Sequence, residues 1–217
     1  MDRNLKIEQL KEKIASFKDE DFGELLPCPK AEKKPKHVPP ANVHPRLCFT
    51  EKRLEEIRAG LLHEENKYAY ERYCILTETE CDGVVRDFTD TNSVSHMRIV
   101  DSDILTILNA KAFKYALTKD ELYGYEAVAG ILSYLKTFDL SKMPAGMAHY
   151  TSMKVMEKVA QVYDWCYDLM DKKTKEYYDE DWASFAAKMW AKGHSFFCYN
   201  SDSADSLSSC CKIKNGI

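Results

Sequence analysis

The stretch ILTILNAKAFKYALTKDELYGYEAVAGILSYL, residues 104–135, decides the fold. Ile104, Ile107, Leu108, Ala112 and Tyr115 fall on one face at helical spacing, and Leu122, Tyr125, Val128, Ala129, Leu132 and Leu135 form a second such face. Between them Thr118, Lys119, Asp120 and Glu121 match a capping box, in which Thr118 caps the main chain and Glu121 reaches back. A turn this short forces the second helix antiparallel to the first, so the spacing predicts a helical hairpin.

The pattern continues on the C-terminal side. Pro144 and Gly146 break the second helix. A third follows with Val155, Val159, Val162, Cys166 and Leu169, and after the polar turn 171–174 a fourth carries Tyr177, Tyr178, Trp182, Phe185 and Met189. One hairpin cannot bury its apolar face alone, so recurring hairpins must stack, as they do in solenoids and α/α toroids. The predicted class is therefore all-α.

On the N-terminal side, Thr50 offers an N-cap. Leu54, Ile57, Leu61, Leu62, Tyr68, Tyr70, Tyr73 and Leu76 predict one long helix to about Glu80, kinked at Gly60. Residues 81–100 lose the period and read as a long polar loop. The six prolines between Pro27 and Pro45, with interspersed lysines, predict an extended strap, and Ile7, Leu10, Ile14 and Phe17 mark a short amphipathic helix. The organisation is an N-terminal helix and linker (1–26), a Pro/Lys-rich strap (27–49), a helical domain (50–194) and a Ser-rich tail (195–217).

Composition narrows the function classes. A net charge of −4 and a pI near 5.9 over 217 residues give no basic footprint for nucleic acid or for an anionic membrane. The eight cysteines have no C-x-x-C pair and no matching histidine spacing, so no metal is expected. The N-terminus has no apolar stretch of signal length, from which the expectation is a reducing cytoplasm and free thiols.

Three segments together resemble the N-terminal helical region of heparinase II/III-like polysaccharide lyases: HPRLCFTEKRLEEIR at 44–58, AKAFKYALTKDELYGYEAV at 110–128 and VAQVYDWCYDLM at 159–170. The YDW-x-YD element is the most specific, followed by HPRL-x-F-T. The resemblance covers about residues 44–194. It implies part of an incomplete (α/α) toroid, ordinarily followed by a β-sandwich, in a protein that cleaves uronate-containing polysaccharides by β-elimination. The catalytic groups of that family lie downstream of the matched region, so no catalytic residue carries over, and the helical array reads as truncated and catalytically incomplete. No cofactor is implied. The implied partner is an acidic oligosaccharide or polysaccharide such as a glycosaminoglycan, and an uncapped last hairpin is expected to favour self-association.

Elimination at a uronate needs the carboxylate beside the C5 proton neutralised, and a base and an acid within hydrogen-bond reach. His96 and Arg98, expected at the end of the polar loop just before a helix capped by Asp101 or Asp103, could meet that carboxylate. His149 and Tyr150, expected at the start of the third helix, could face the same cleft, and His194 is a weaker candidate. Tyr163, Asp164 and Trp165 read as packing residues, with Asp164 bonding a loop backbone. Two further readings stay open: a stand-alone α-helical repeat module that binds a protein or peptide without catalysis, and a glycoside hydrolase using two of Asp101, Asp103 and Asp164.

Overall fold

The computed structural model describes residues 2–22, 43–61, 63–85, 94–138, 148–171 and 173–175, and among them every regular element is helical. In chain order these are α1 (Arg3–Ser16), α2 (Glu51–Gly60), α3 (Lys67–Glu78), α4 (Val94–Thr118), α5 (Glu121–Thr137) and α6 (Ala148–Trp165). Short 3₁₀ turns occupy Asp19–Phe22, Glu64–Asn66 and Tyr167–Leu169.

Helix α4 is the hub, and α5 folds back on it in the hairpin that residues 104–135 predict. The turn differs from the expected capping box. Thr118 is still inside α4, its hydroxyl donating to the Lys114 carbonyl at 2.7 Å. Lys119 adopts a φ of 58°, and its N–H donates to the Tyr115 carbonyl at 2.7 Å, which closes α4. Asp120 is the true N-cap of α5, accepting from the Leu122 N–H at 3.2 Å. A carboxylate here satisfies a free amide and opposes the positive end of the helix dipole, which a threonine hydroxyl cannot do as well.

Helix α6 packs on another flank of α4. Asn109 Nδ2 donates to Gln161 Oε1 at 2.8 Å, and the Phe113 and Trp165 rings lie 5.6 Å apart. Both pairs are 52 residues apart in sequence, so α4 and α6 run parallel in constant register. Helix α3 lies antiparallel to α4, with the Tyr73 hydroxyl donating to the Ala110 carbonyl at 2.6 Å and Lys114 Nζ reaching the Tyr70 hydroxyl at 3.0 Å. Helix α1 runs along α5, pairing Arg3 with Asp120 and Lys6 with Glu126.

Leu105, Leu108 and Ala112 of α4, Val128, Ile131 and Leu132 of α5, and Val155, Val159 and Val162 of α6 are buried together with Leu54 of α2. Each large aliphatic side chain buried in this way stabilises the fold by about 1.5–3 kcal/mol. Two glycines permit the closest approach. Gly83, at a φ of 76°, crosses α5 where any Cβ would fall 1.8 Å from the Gly130 carbonyl oxygen, and a Cβ on Gly130 would strike Leu108. Val85 N–H then donates to Thr137 Oγ1 at 2.9 Å and holds the crossing segment in place.

The long helix expected over 50–80 is two helices. α2 stops at Gly60, whose carbonyl accepts from Asn66 Nδ2 at 2.8 Å, and the chain turns through Glu64–Asn66 before α3 begins. The polar loop expected over 81–100 is also shorter, because α4 already begins at Val94. Val94, Met97, Val100 and Ile104 extend the apolar stripe backwards at spacings of three and four, which the polar composition of this stretch conceals. The third helix ends at Trp165 and passes into the 3₁₀ turn that holds Leu169. The strap up to residue 42, the body of the fourth helix, the hairpin end expected to self-associate and the tail lie outside the described residues.

One carboxylate ties the strap to the helices. The Asp164 side chain, 1% exposed, accepts at Oδ1 from His44 Nδ1 at 2.6 Å and at Oδ2 from the N–H groups of Arg46 (2.8 Å) and Leu47 (2.7 Å). Trp165 Nε1 donates to the Leu47 carbonyl at 3.1 Å, the His44 ring stacks on Tyr167 at 3.8 Å, and Phe49 stacks on Trp165 at 4.9 Å. Asp164 thus bonds a loop backbone as its sequence context predicts. Asp164→Ala strands three donors and is expected to lower unfolding free energy by about 3 kcal/mol, with Asp164→Asn losing less because one acceptor oxygen survives. Urea denaturation of the three proteins checks the order.

Candidate functional site

The structure brings the sequence-predicted site residues to one end of the molecule. His96 and Arg98 stand near the start of α4, and His149 and Tyr150 in the first turn of α6. Because the two helices run parallel with constant register, their N-termini share an end. Arg98 is eleven residues before Asn109, and Tyr150 is eleven before Gln161. Eleven residues is about three helical turns, so these two occupy register positions continuous with the Asn109–Gln161 pair. His96 and His149 occupy other positions around their helices. The described part of these turns is the backbone. His194 lies outside the described residues.

This placement corrects the expectation that His96 and Arg98 end a loop ahead of a helix capped by Asp101 or Asp103. Both aspartates lie inside α4, and the two basic residues sit in its opening turns, where main-chain N–H groups have no partner within the helix. Neither α4 nor α6 has an acidic residue in its first turn. Helices normally place acidic residues there to oppose a positive end of about half an elementary charge. Here two parallel helices add that charge at one end and carry basic residues instead. A helix N-terminus of this kind favours an anion in general.

Asp164 does not form a two-carboxylate hydrolase pair with Asp101 or Asp103. The 113-to-165 pairing sets Asp164 level with Ala112, so Asp101 and Asp103 lie roughly 13–17 Å further along the helix axis, against the roughly 5–9.5 Å that glycosidic pairs need. Asp164 is in any case committed to the strap. Among the described residues no group of three or more His, Cys, Asp and Glu side chains could hold a metal ion.

Two features were not foreseen from the sequence because each draws on three helices. The first is a groove of about 480 Å³ between α2, α3 and α4, floored by Ile57, Leu61, Tyr73, Phe113 and Leu117 and walled by Tyr70. Burial pushes the Tyr73 phenol well above its ordinary range, which leaves its hydroxyl a committed donor to Ala110. The second is a buried charge cluster in which Glu126 of α5 pairs with Lys111 of α4, whose side chain is 4% exposed, and with Lys6 of α1. This cluster joins three helices, which gives it a structural role. Burial also raises the Tyr115 phenol, assisted by a hydrogen bond to Asp168, and the fully buried Cys166 thiol.

No family model matches the chain, and neither does any curated protein or solved structure. Among the described residues no helix is long and apolar enough to cross a membrane.

The buried cluster yields a stability test. Glu126→Gln leaves the Lys111 ammonium buried without a carboxylate and is expected to cost about 3 kcal/mol, whereas Lys111→Met combined with Glu126→Leu returns to within about 1 kcal/mol of the parent. Thermal and chemical denaturation of the single and double variants measures both.

Proposed function

We propose that this chain contains the helical region of a heparinase II/III-like polysaccharide lyase, arranged as part of an (α/α) toroid, and that it binds acidic, uronate-containing oligosaccharides where α4 and α6 begin. The observation that carries the proposal is the Asp164 clamp. It joins HPRLCFT at 44–50 to YDWCYD at 163–168, the two segments on which the resemblance chiefly rests. Segments that share a lineage as a unit are expected to touch, and these do. The parallel packing of α4 and α6 supports a toroid, in which the first helices of successive hairpins form one ring.

At the proposed site Arg98 and the two helix N-termini neutralise a uronate carboxylate, while His96, His149 and Tyr150 supply hydrogen bonds to the sugar. Neutralising that carboxylate makes the adjacent C5 proton easier to remove, because the negative charge of the enolate-like state is already countered. The resemblance puts the proton-transferring groups outside the matched region, so the residues named here bind and orient. Free Cys48, Cys74 and Cys166 are compatible with a cytoplasmic protein acting on imported oligosaccharides.

A second reading, a helical-repeat module that binds a peptide, is favoured by the apolar groove between α2, α3 and α4. Isothermal titration calorimetry separates the two. Uronate-containing oligosaccharides are expected to bind in a salt-dependent way and their uncharged counterparts not to bind. Arg98→Ala is expected to weaken binding about tenfold, or ~1.4 kcal/mol. Absence of binding to every acidic oligosaccharide would remove the lyase reading. Strong ultraviolet absorbance from unsaturated product, made by this chain alone, would overturn the assignment of these residues to binding only.

A further inference from the structure

Cys74 of α3 and Lys114 of α4 form a nucleophile–cation pair that the proposed carbohydrate site does not use. Lys114 Nζ lies 3.5 Å from Cys74 Sγ and 3.0 Å from the Tyr70 hydroxyl, and 5.0 Å and 5.9 Å from the centroids of the Tyr70 and Tyr123 rings. Among the described residues no carboxylate pairs with Lys114. The nearby Glu78 carboxylate is taken by the Tyr123 hydroxyl, a hydrogen bond that, with burial, pushes that phenol up to about 12. Burial opposes the charge on Lys114, yet its contacts with Tyr70 and Cys74 outweigh burial and hold its pKa above the ordinary lysine range. The side chain therefore stays a cation whose close partners are a thiol, a phenol and two aromatic faces.

The sulfur is also reachable. Cys74 is half-buried and lines a surface depression of about 550 Å³ with Tyr70, Glu71, Ile75, Glu78 and Thr79, ample for a small oxidant. Two other described thiols lack this combination: Cys166 is buried, and Cys48 is exposed but meets the neutral amide of Gln161 at 3.3 Å.

We infer that Cys74 is a site of oxidative modification by hydrogen peroxide, with Lys114 as the positioning residue that makes it selective. The sulfur attacks one peroxide oxygen and the O–O bond breaks. The thiol proton leaves with the departing hydroxide as water. Sulfur loses two electrons and the peroxide gains them, giving a sulfenic acid whose oxygen lies beside the Lys114 ammonium. That cation stabilises the negative charge that develops on the departing oxygen and on the product. A second oxidation to the sulfinate would turn a thiol contact into an ion pair between α3 and α4.

The test exposes the full chain to substoichiometric hydrogen peroxide with a 1,3-diketone that traps sulfenic acids, and follows each cysteine peptide by mass spectrometry. Cys74 is expected to be trapped roughly tenfold faster than Cys48 despite the greater exposure of Cys48. Lys114→Met is expected to remove most of that advantage without changing Cys48, and Lys114→Arg to retain much of it. Equal rates at Cys74 and Cys48 in the parent protein would overturn it, a comparison that needs no variant to fold. An unchanged Cys74 rate in Lys114→Met with native circular dichroism would overturn it as well.

Discussion

The burial of one carboxylate, Asp164, governs how the N-terminal half of the described fold meets the C-terminal half. A charge so far from water is costly unless every lone pair is used, and here three donors converge on it, two from the main chain of the strap and one from His44. Because two of the donors are main-chain N–H groups, the contact fixes the path of the chain as well as a side-chain position. That path delivers Phe49 against Trp165 and Phe113, and the next residues start α2, whose Leu54 is completely buried. The strap, α2 and through it α3 are therefore located on α4 by a contact made at the far end of α6.

Helix polarity divides the two ends of the α4–α6 pair. At the C-terminal end of α4 the negative pole is met from within the fold, where Arg58 donates to the carbonyls of Leu117 and Ala116 at 2.7 and 3.0 Å. The N-terminal ends have no acidic residue in their first turns to play the opposite part. At one end a described arginine meets the α4 dipole, and at the other no first-turn side chain of α4 or α6 opposes it. A protein that only needed a stable bundle would gain from an aspartate or glutamate there, which is why that end, and not the clamped one, is the candidate for an anionic ligand.

The features legible in the sequence were those set by local periodicity. The α4–α5 hairpin, the all-helical class and the structural character of Asp164 follow from spacing and from the residue types within a few turns. The boundaries were less legible wherever a distant or competing partner decided them. Thr118 and Asp120 are both acceptable caps by composition, and the carboxylate wins through its charge and its pairing with Arg3. Gly60 looks like a kink until Asn66 takes its carbonyl. The start of α4 was hidden because Ser95, His96, Asp101 and Ser102 dilute an apolar stripe that is nonetheless in phase. The shared end of the candidate site was out of reach for a different reason. Nothing within His96–Arg98 or His149–Tyr150 encodes that α4 and α6 run parallel, a relation carried by Asn109, Gln161, Phe113 and Trp165. The groove between α2, α3 and α4 and the Cys74–Lys114 pair likewise exist only once separate helices meet.

The pairing of Lys111 with Glu126 has a consequence for movement. Apolar helix faces tolerate sliding, since one leucine can replace another in the same hollow. A slip of α5 along α4 by a single turn, about 5.4 Å, would instead pull apart two opposite charges and leave the buried Lys111 ammonium without its carboxylate. The hairpin therefore has one permitted alignment and no neighbouring alternative of similar energy. It can transmit a push from one end to the other as a rigid strut, but it cannot act as a ratchet, so any conformational response must come from how other helices rock against it.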